Sequence, residues 1–276
     1  MAENAKKDRI LPIVFAIIIV YFLVSIYLYW NDYVKVWIEE DYTDEYYFAF
    51  TFYEYWGMAI WGMVTAICFF SLVKVFGKDT PAGKVWLILG LGIVFWDIAD
   101  WIYTQHFYTT EEFYIPDPNP ARIAYFIGYI LMIIGLIKQI RITPIKLEKS
   151  AVTKYAIVTL VICIVLMIYV TIPSLLESVD ENMTSFGLVQ LVAFAVADLV
   201  IIFLAILLVL LFKGGEFAKS WLIIALGFLV LASFDMLLYA LENVYPDTYY
   251  YITDFLYYIF YWILALGALH LRKMLL

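Results

Sequence analysis

The sequence predicts an all-α, polytopic integral membrane protein of eight transmembrane helices arranged as two parallel four-helix repeats. Three observations predict it: eight apolar stretches, a sorting of basic residues between alternate connections, and an echo of the first half in the second. Two thirds of the 276 residues are hydrophobic and 15% are charged, more apolar surface than a water-soluble domain of this length hides. The stretches run Ile10–Trp30, Thr51–Val73, Val85–Gln105, Asn119–Ile140, Val152–Ile172, Gly187–Phe212, Ser220–Leu241 and Tyr250–Leu271. Each approaches or exceeds the ~20 residues with which a helix crosses a bilayer. Helices follow because backbone polar groups in lipid must be satisfied within the segment.

The first stretch is long, is followed by seven more and has no small-residue cleavage site after it. It reads as a retained helix and not as a signal peptide. The connections Asn31–Phe50 and Arg141–Ala151 are too short to fold alone, so residues 1–276 are expected to form one transmembrane domain. Of the 17 Lys and Arg residues, 15 lie in one alternating set: Lys6 to Arg9, Lys74 to Lys84, Lys138 to Lys154, Lys213 with Lys219, and Arg272 with Lys273. Only Lys35 and Arg122 lie in the opposite set. The positive-inside rule then puts both termini in the cytoplasm of a cell (plasma) membrane protein. The opposite, outer connections are acidic, among them Glu39 to Asp41, Glu111, Glu112, Glu177 and Asp180. They carry the net charge of −8 and would attract external cations, or simply form a solvated surface. Nucleic acid is excluded as a partner.

Repeat 1 spans about 10–141 and repeat 2 about 152–273. Lys84-x-Trp86-Leu87-Ile88-x-x-Leu91-Gly92 matches Lys219-x-Trp221-Leu222-Ile223-x-x-Leu226-Gly227, and Asp100 falls opposite Asp235. Tyr125-x-Ile127-x-Tyr129 matches Tyr257-x-Ile259-x-Tyr261, Gly135 falls opposite Gly267, and Glu54 opposite Gln190. Four helices is an even number, so both copies start on the same side and are parallel, not inverted.

Acidic residues inside the spans are the candidate site. Asp97 and Asp100 lie i, i+3 on the third helix, Asp198 near the middle of the sixth and Asp235 on the seventh; Glu54, Glu242 and Asp254 stand nearer the outer interface. A carboxylate in hydrocarbon costs ~2.5–3.5 kcal/mol on insertion scales, so such groups usually face a bundle interior or a wet cavity. The spans hold no Lys or Arg to pair with them except Arg122, at the outer start of the fourth helix. The carboxyl groups must be protonated, hydrogen-bonded to Tyr and Trp, or served by water or a cation. Tyr103, Tyr125, Tyr129, Tyr239, Tyr257 and Tyr261 lie at similar depths, and Trp96 and Trp101 could wall the same space. Two readings follow: an outward-open acidic and aromatic cavity for a small cation, an amine or a proton, or structural hydrogen bonds between the halves. The candidate ligand- or proton-binding residues are Asp97, Asp100, Asp198, Asp235, Glu54, Arg122 and Tyr129.

Catalytic signatures are missing. No phosphate loop, His-Glu-x-x-His run or Gly-x-Ser-x-Gly elbow occurs, and Gly92 is followed by Ile93 where an intramembrane aspartyl protease would carry Asp. His106 is expected just outside the third helix and His270 at the far end of the eighth, too distant to share a metal. Cys68 and Cys163 lie within helices as small packing residues. No cofactor or metal is implied, and an enzyme is disfavoured.

The run Trp86 to Gly92 through Asp97-Ile98-Ala99-Asp100, then Pro116-Asp117-Pro118, Ala124 to Tyr129 and Gly135-Leu136, is similar to the multi-helix membrane sensory regions of archaeal and bacterial histidine kinases and diguanylate cyclases. The resemblance covers mainly the third and fourth helices. It implies a non-catalytic, signal-receiving or ligand-binding membrane module. No output segment follows Leu276, so a separate cytoplasmic or membrane signalling partner is expected. A small proton- or cation-coupled transporter or channel is the alternative. The orientation is checked with a membrane-impermeant thiol reagent on intact cells: Ser178→Cys should be labelled from outside and Ser150→Cys protected.

Overall fold

The computed structural model describes residues 10–33, 44–110, 115, 118–143, 149–173, 185–212, 217–244 and 249–276, and among them every regular element is helical. They form α1 (Ile10–Tyr33), α2 (Asp44–Phe76), α3 (Pro81–Thr110), α4 (Pro120–Ile142), α5 (Lys149–Leu166), α6 (Ser185–Leu211), α7 (Ala218–Val244) and α8 (Tyr249–Leu275). Seven of the eight carry, within the described residues, a stretch long and apolar enough to cross a membrane. The chain is therefore a helical membrane protein.

Local chemistry sets the helix ends. Gly77 closes α2 at φ +86°, a conformation that costs glycine nothing, and its N–H donates to Val73 O at 2.9 Å. Three residues later Thr80 caps α3, its Oγ1 accepting from Gly83 N at 2.9 Å, with Pro81 at the first helical position. Asn119 does the same for α4: its Oδ1 accepts from Ala121 N at 2.9 Å and Arg122 N at 3.3 Å, with Pro120 next. After Leu166 the ladder slips into a π turn over Met167–Thr171, with Ile172 N–H donating to Met167 O. Pro173 accounts for the slip, because it offers no N–H to Tyr169 O and its ring pushes that carbonyl aside.

Two helices differ from sequence expectation at their ends. α3 runs on to Thr110, so His106 lies inside it and not beyond it. Along residues 106–110 the Thr109 and Thr110 hydroxyls donate to His106 O at 2.9 Å. α2 begins at Asp44, seven residues before the apolar stretch. The acidic and aromatic residues singled out at 34–43, 111–114, 116–117, 174–184 and 245–248 lie outside the described residues, as do the side chains of Glu54, Tyr239, Glu242 and Asp254.

The core is made by α2, α3, α4, α6, α7 and α8. α3 packs between α2 and α4, α7 packs between α6 and α8, and the two sets join where α2 meets α8 and α4 meets α6. α1 and α5 are peripheral: only 11% of each apolar span is buried, against 44–56% for the spans of α2, α3, α6 and α7. α1 lies on α8, where Tyr21 sets its ring edge-on to Trp61, Tyr258 and Trp262. Outward-facing Val20, Leu23, Val158 and Val161 then form a lipid-compatible surface.

Lipid gives helices no hydrophobic reason to associate, so close backbone approach matters. Gly92 and Gly128 provide it between α3 and α4. A Cβ on Gly128 would stand 3.0 Å from Gly92 O and 3.2 Å from Trp96 N, both backbone atoms that cannot rotate away. Gly128→Val should therefore lower stability by ~1–3 kcal/mol. Ile130→Val, on the exposed face of the same helix, should change it little; thermal unfolding in detergent measures both.

Candidate functional site

The later halves of α3 and α7 and the earlier halves of α4, α6 and α8 meet in the half of the bundle nearer the α3–α4 and α7–α8 connections. Three acidic side chains meet four tyrosines there. Asp100 Oδ1 accepts from Tyr125 at 2.5 Å and its Oδ2 from Tyr261 at 2.8 Å. Asp235 Oδ1 accepts from Tyr257 at 2.7 Å, and its Oδ2 lies 2.6 Å from the Tyr129 hydroxyl. That hydroxyl also lies 2.5 Å from Asp198 Oδ1. The spacing explains the convergence: Tyr125 and Tyr129 on α4, and Tyr257 and Tyr261 on α8, are i, i+4 pairs on one helix face.

Hydrogens can be counted. Tyr129 has one phenolic hydrogen and two short oxygen contacts. The hydrogen can lie along only one of them at a time, so Asp198 and Asp235 share this one donor.

A cavity of about 200 Å³ adjoins this unit, lined by Trp96, Tyr103, Tyr125, Tyr129, Phe194 and Tyr257, with Asp198, Asp235 and Arg122. Arg122 and Tyr103 sit toward its rim, in the first turn of α4 and the last third of α3. The rim is braced by Asn119, whose Nδ2 donates to the Tyr103 hydroxyl at 3.0 Å. Trp96 packs edge-on to Tyr125 and Tyr129 at 4.9 and 4.5 Å. It is 2% exposed, and its Nε1 has no hydrogen-bond partner.

Beneath the site, toward the opposite end, the bundle is filled. Trp86 and Trp221 stack at 5.0 Å, Phe212 stacks on Trp221 at 5.1 Å and Phe69 meets Trp86 edge-on at 5.4 Å. Trp86, Phe69, Leu89, Ile93 and Phe228 are fully buried around them.

The structure thus gathers Asp198, Asp235, Tyr129 and Arg122 on the cavity wall and holds Asp100 beside it through Tyr125. Asp97 stands apart. It turns toward α2, where a Cβ on Gly62 would come within 2.5 Å of its Oδ1, and that buried oxygen has no hydrogen-bond partner. Glu54 lies on α2, with its side chain outside the described residues. Trp101 meets Trp56 at 4.7 Å and is not on the cavity wall. Phe194 is the wall residue that sequence reasoning did not single out; its i, i+4 spacing to Asp198 was the available signal. Among the described residues no group of three or more His, Cys, Asp or Glu side chains is set to hold a metal ion. His270 Nδ1 lies 2.8 Å from Ser220 Oγ at the far end of the bundle.

No family model matches the chain, and neither a curated protein nor a solved structure is similar to it.

Tyr129→Phe leaves the ring and removes the one hydroxyl that joins Asp198 to Asp235. Loss of hydrogen bonds to buried acidic groups should cost about 1.5–3 kcal/mol. Tyr103→Phe, at the half-buried rim, should cost less; thermal unfolding of the two variants gives the comparison.

Proposed function

We propose that this protein is a non-catalytic membrane sensor or ligand-binding module whose acidic and aromatic cavity opens to the outside and takes a small cation or amine. The observation that carries this reading is the convergence of Asp198, Asp235 and Tyr129, from three separate helices, on one cavity. The positive-inside sorting of Lys and Arg puts the cavity end outside and both termini in the cytoplasm of the cell membrane. Acidic connections at that end would raise the local concentration of cations.

The two-repeat arrangement belongs to this proposal, and residue equivalences support it. Asp100 accepts from Tyr125 of its own half and Tyr261 of the other; its counterpart Asp235 pairs with Tyr257 of its own half and Tyr129 of the other. Trp86 and Trp221, matched in the alignment, stack on each other as residues beside a two-fold axis do. Gly135 faces Leu89 while Gly267 faces Ile224, and Gly92 faces Met132 while Gly227 faces Leu264; each pair of partners is itself aligned. The equivalence covers α2–α4 and α6–α8. It runs out at the periphery, where α1 lies on α8 but α5 lies on α6. It also breaks at the third carboxylate: Asp97 aligns with Ala232, and Asp198 with Gly62. That break favours a cavity on one side only.

A separate signalling partner would read the cytoplasmic connections. The second reading, a proton- or cation-coupled transporter, draws on the closeness of Asp198 and Asp235, which share the Tyr129 hydroxyl. The Trp86–Trp221 plug argues against a continuous path and so favours sensing.

Calorimetry on nanodisc-embedded protein tests the choice. A monovalent organic cation should bind, Asp235→Asn should weaken binding at least tenfold, and proteoliposomes should accumulate none of the cation. Uptake that disappears in Asp198→Asn would replace sensing by transport, and absence of binding by any cation would overturn both.

A further inference from the structure

The cavity wall carries groups of both charge types, set apart along one helix. Asp198 and Asp235 stand on it where Tyr129 joins them, and Arg122 stands on it toward the rim. Arg122, Tyr125 and Tyr129 follow at i, i+3 and i+7, so they share one face of α4. At ~1.5 Å per residue, Arg122 lies roughly 10 Å nearer the α3–α4 connection than Tyr129. The acids do not use Arg122 as their partner: their hydrogen bonds come from Tyr129 and Tyr257. Both poles keep hydrogen-bonding capacity. Two carboxyl groups offer about eight lone-pair sites, and the two phenols supply one hydrogen each. Asp198 is 1% exposed, and its Oδ2 receives neither hydrogen. A primary ammonium brings three N–H donors to such acceptors. A guanidinium carries five N–H donors in a planar fork that matches a carboxylate, so it keeps donors beyond any one partner. An occupant with positive charge alone would meet Arg122, and one with negative charge alone would meet Asp198 and Asp235. A molecule that carries both satisfies both poles. The rest of the wall is ring surface from Trp96, Tyr103, Phe194 and Tyr257, which suits a short hydrocarbon chain. The cavity, about 200 Å³, is smaller than the ~300–1,000 Å³ of drug-sized sites, so the occupant is small.

From these features we infer that the cavity is a site for a small zwitterion of the amino-acid class, an ammonium group and a carboxylate joined by a short chain. The ammonium group donates to Asp198 and Asp235, the carboxylate accepts from Arg122, and the rings cover the chain between them. The ethanolamine headgroup of a lipid presents the same two charges, so the test separates the two sources. This rests on the reading of the cavity as a site for an amine and adds the anionic half of the ligand.

Three matched probes separate the two ends: β-alanine, ethylamine, which lacks the carboxylate, and propionate, which lacks the ammonium group. Glycine and γ-aminobutyrate vary the spacing of the charges. Titration calorimetry on the chain in phosphatidylglycerol nanodiscs should show the best of the three amino acids binding at least tenfold more tightly than ethylamine, and no binding of propionate. Arg122→Gln should remove that preference and leave ethylamine binding no weaker, which also shows that the variant is folded. Arg122→Lys keeps the charge without the fork and should hold a preference of at least threefold, a check that survives if the glutamine variant does not fold. Ethylamine binding as tightly as the best amino acid would overturn the zwitterion site and leave the acidic-cavity reading standing. So would a preference that persists in Arg122→Gln or vanishes in a folded Arg122→Lys. Propionate binding as tightly as the amino acids, or failure of every amine and amino acid to bind, would overturn both. Phosphatidylethanolamine added to the discs should leave amino-acid binding unchanged; a tenfold loss would give the site to that headgroup and overturn the free amino acid as its occupant.

Discussion

The arrangement of this bundle depends on how carboxyl groups are kept inside an apolar interior. Among the described residues the hydrogen-bond partners of Asp100, Asp198 and Asp235 are phenols, not ammonium or guanidinium groups. Leaving such groups unpaired in lipid would cost several kcal/mol each. A tyrosine meets that cost with a rigid ring that packs as part of the core and one hydroxyl delivered at a fixed depth. Tyr261 is fully buried, and Tyr129 is nearly so. The same side chains therefore fill the bundle and hold its acids.

That device ties packing to chemistry. Each phenol of α4 and α8 can reach its carboxyl only if the helices approach to a set distance. Glycines set it: Gly92 and Gly128 let α3 and α4 touch backbone to backbone, and Gly227 seats Leu264 between α7 and α8. A bulkier residue at these positions would shift the phenols by more than the tolerance of a hydrogen bond, which weakens steeply as it bends or lengthens. Stability of the bundle and shape of the cavity are in this sense one property.

The structure also divides the bundle lengthwise. The Trp86–Trp221 stack and its neighbours make one end a dense aromatic plug, and the acid–phenol cluster leaves a small cavity at the other. The proposed reception of a ligand, in preference to its passage, rests on this division. It fits a protein whose response to binding would be a small rearrangement of packed helices, transmitted through contacts between α4 and α6 or between α2 and α8.

The eight helical segments were legible in the residues because span length and apolarity are local properties, governed by backbone hydrogen bonding in lipid. Their caps were equally local, as Pro81, Asn119 and Pro120 illustrate. The acidic positions and the depth of Tyr125, Tyr129, Tyr257 and Tyr261 could be read by counting along each helix. Counting could not say which phenol meets which carboxyl, that Asp97 turns to Gly62 while Asp100 joins the cluster, or that Phe194 completes the wall. Nor could it give the outlying positions of α1 and α5: their mean hydropathy, 2.8 and 2.4, exceeds the 1.6–2.0 of α2, α3, α4 and α7, but core helix α6 is higher still at 3.1. Those outcomes depend on the rotation and distance of one helix against another. Only tertiary packing fixes these, because every apolar helix face is equally content with lipid until a close backbone contact or a buried hydrogen bond selects its neighbour.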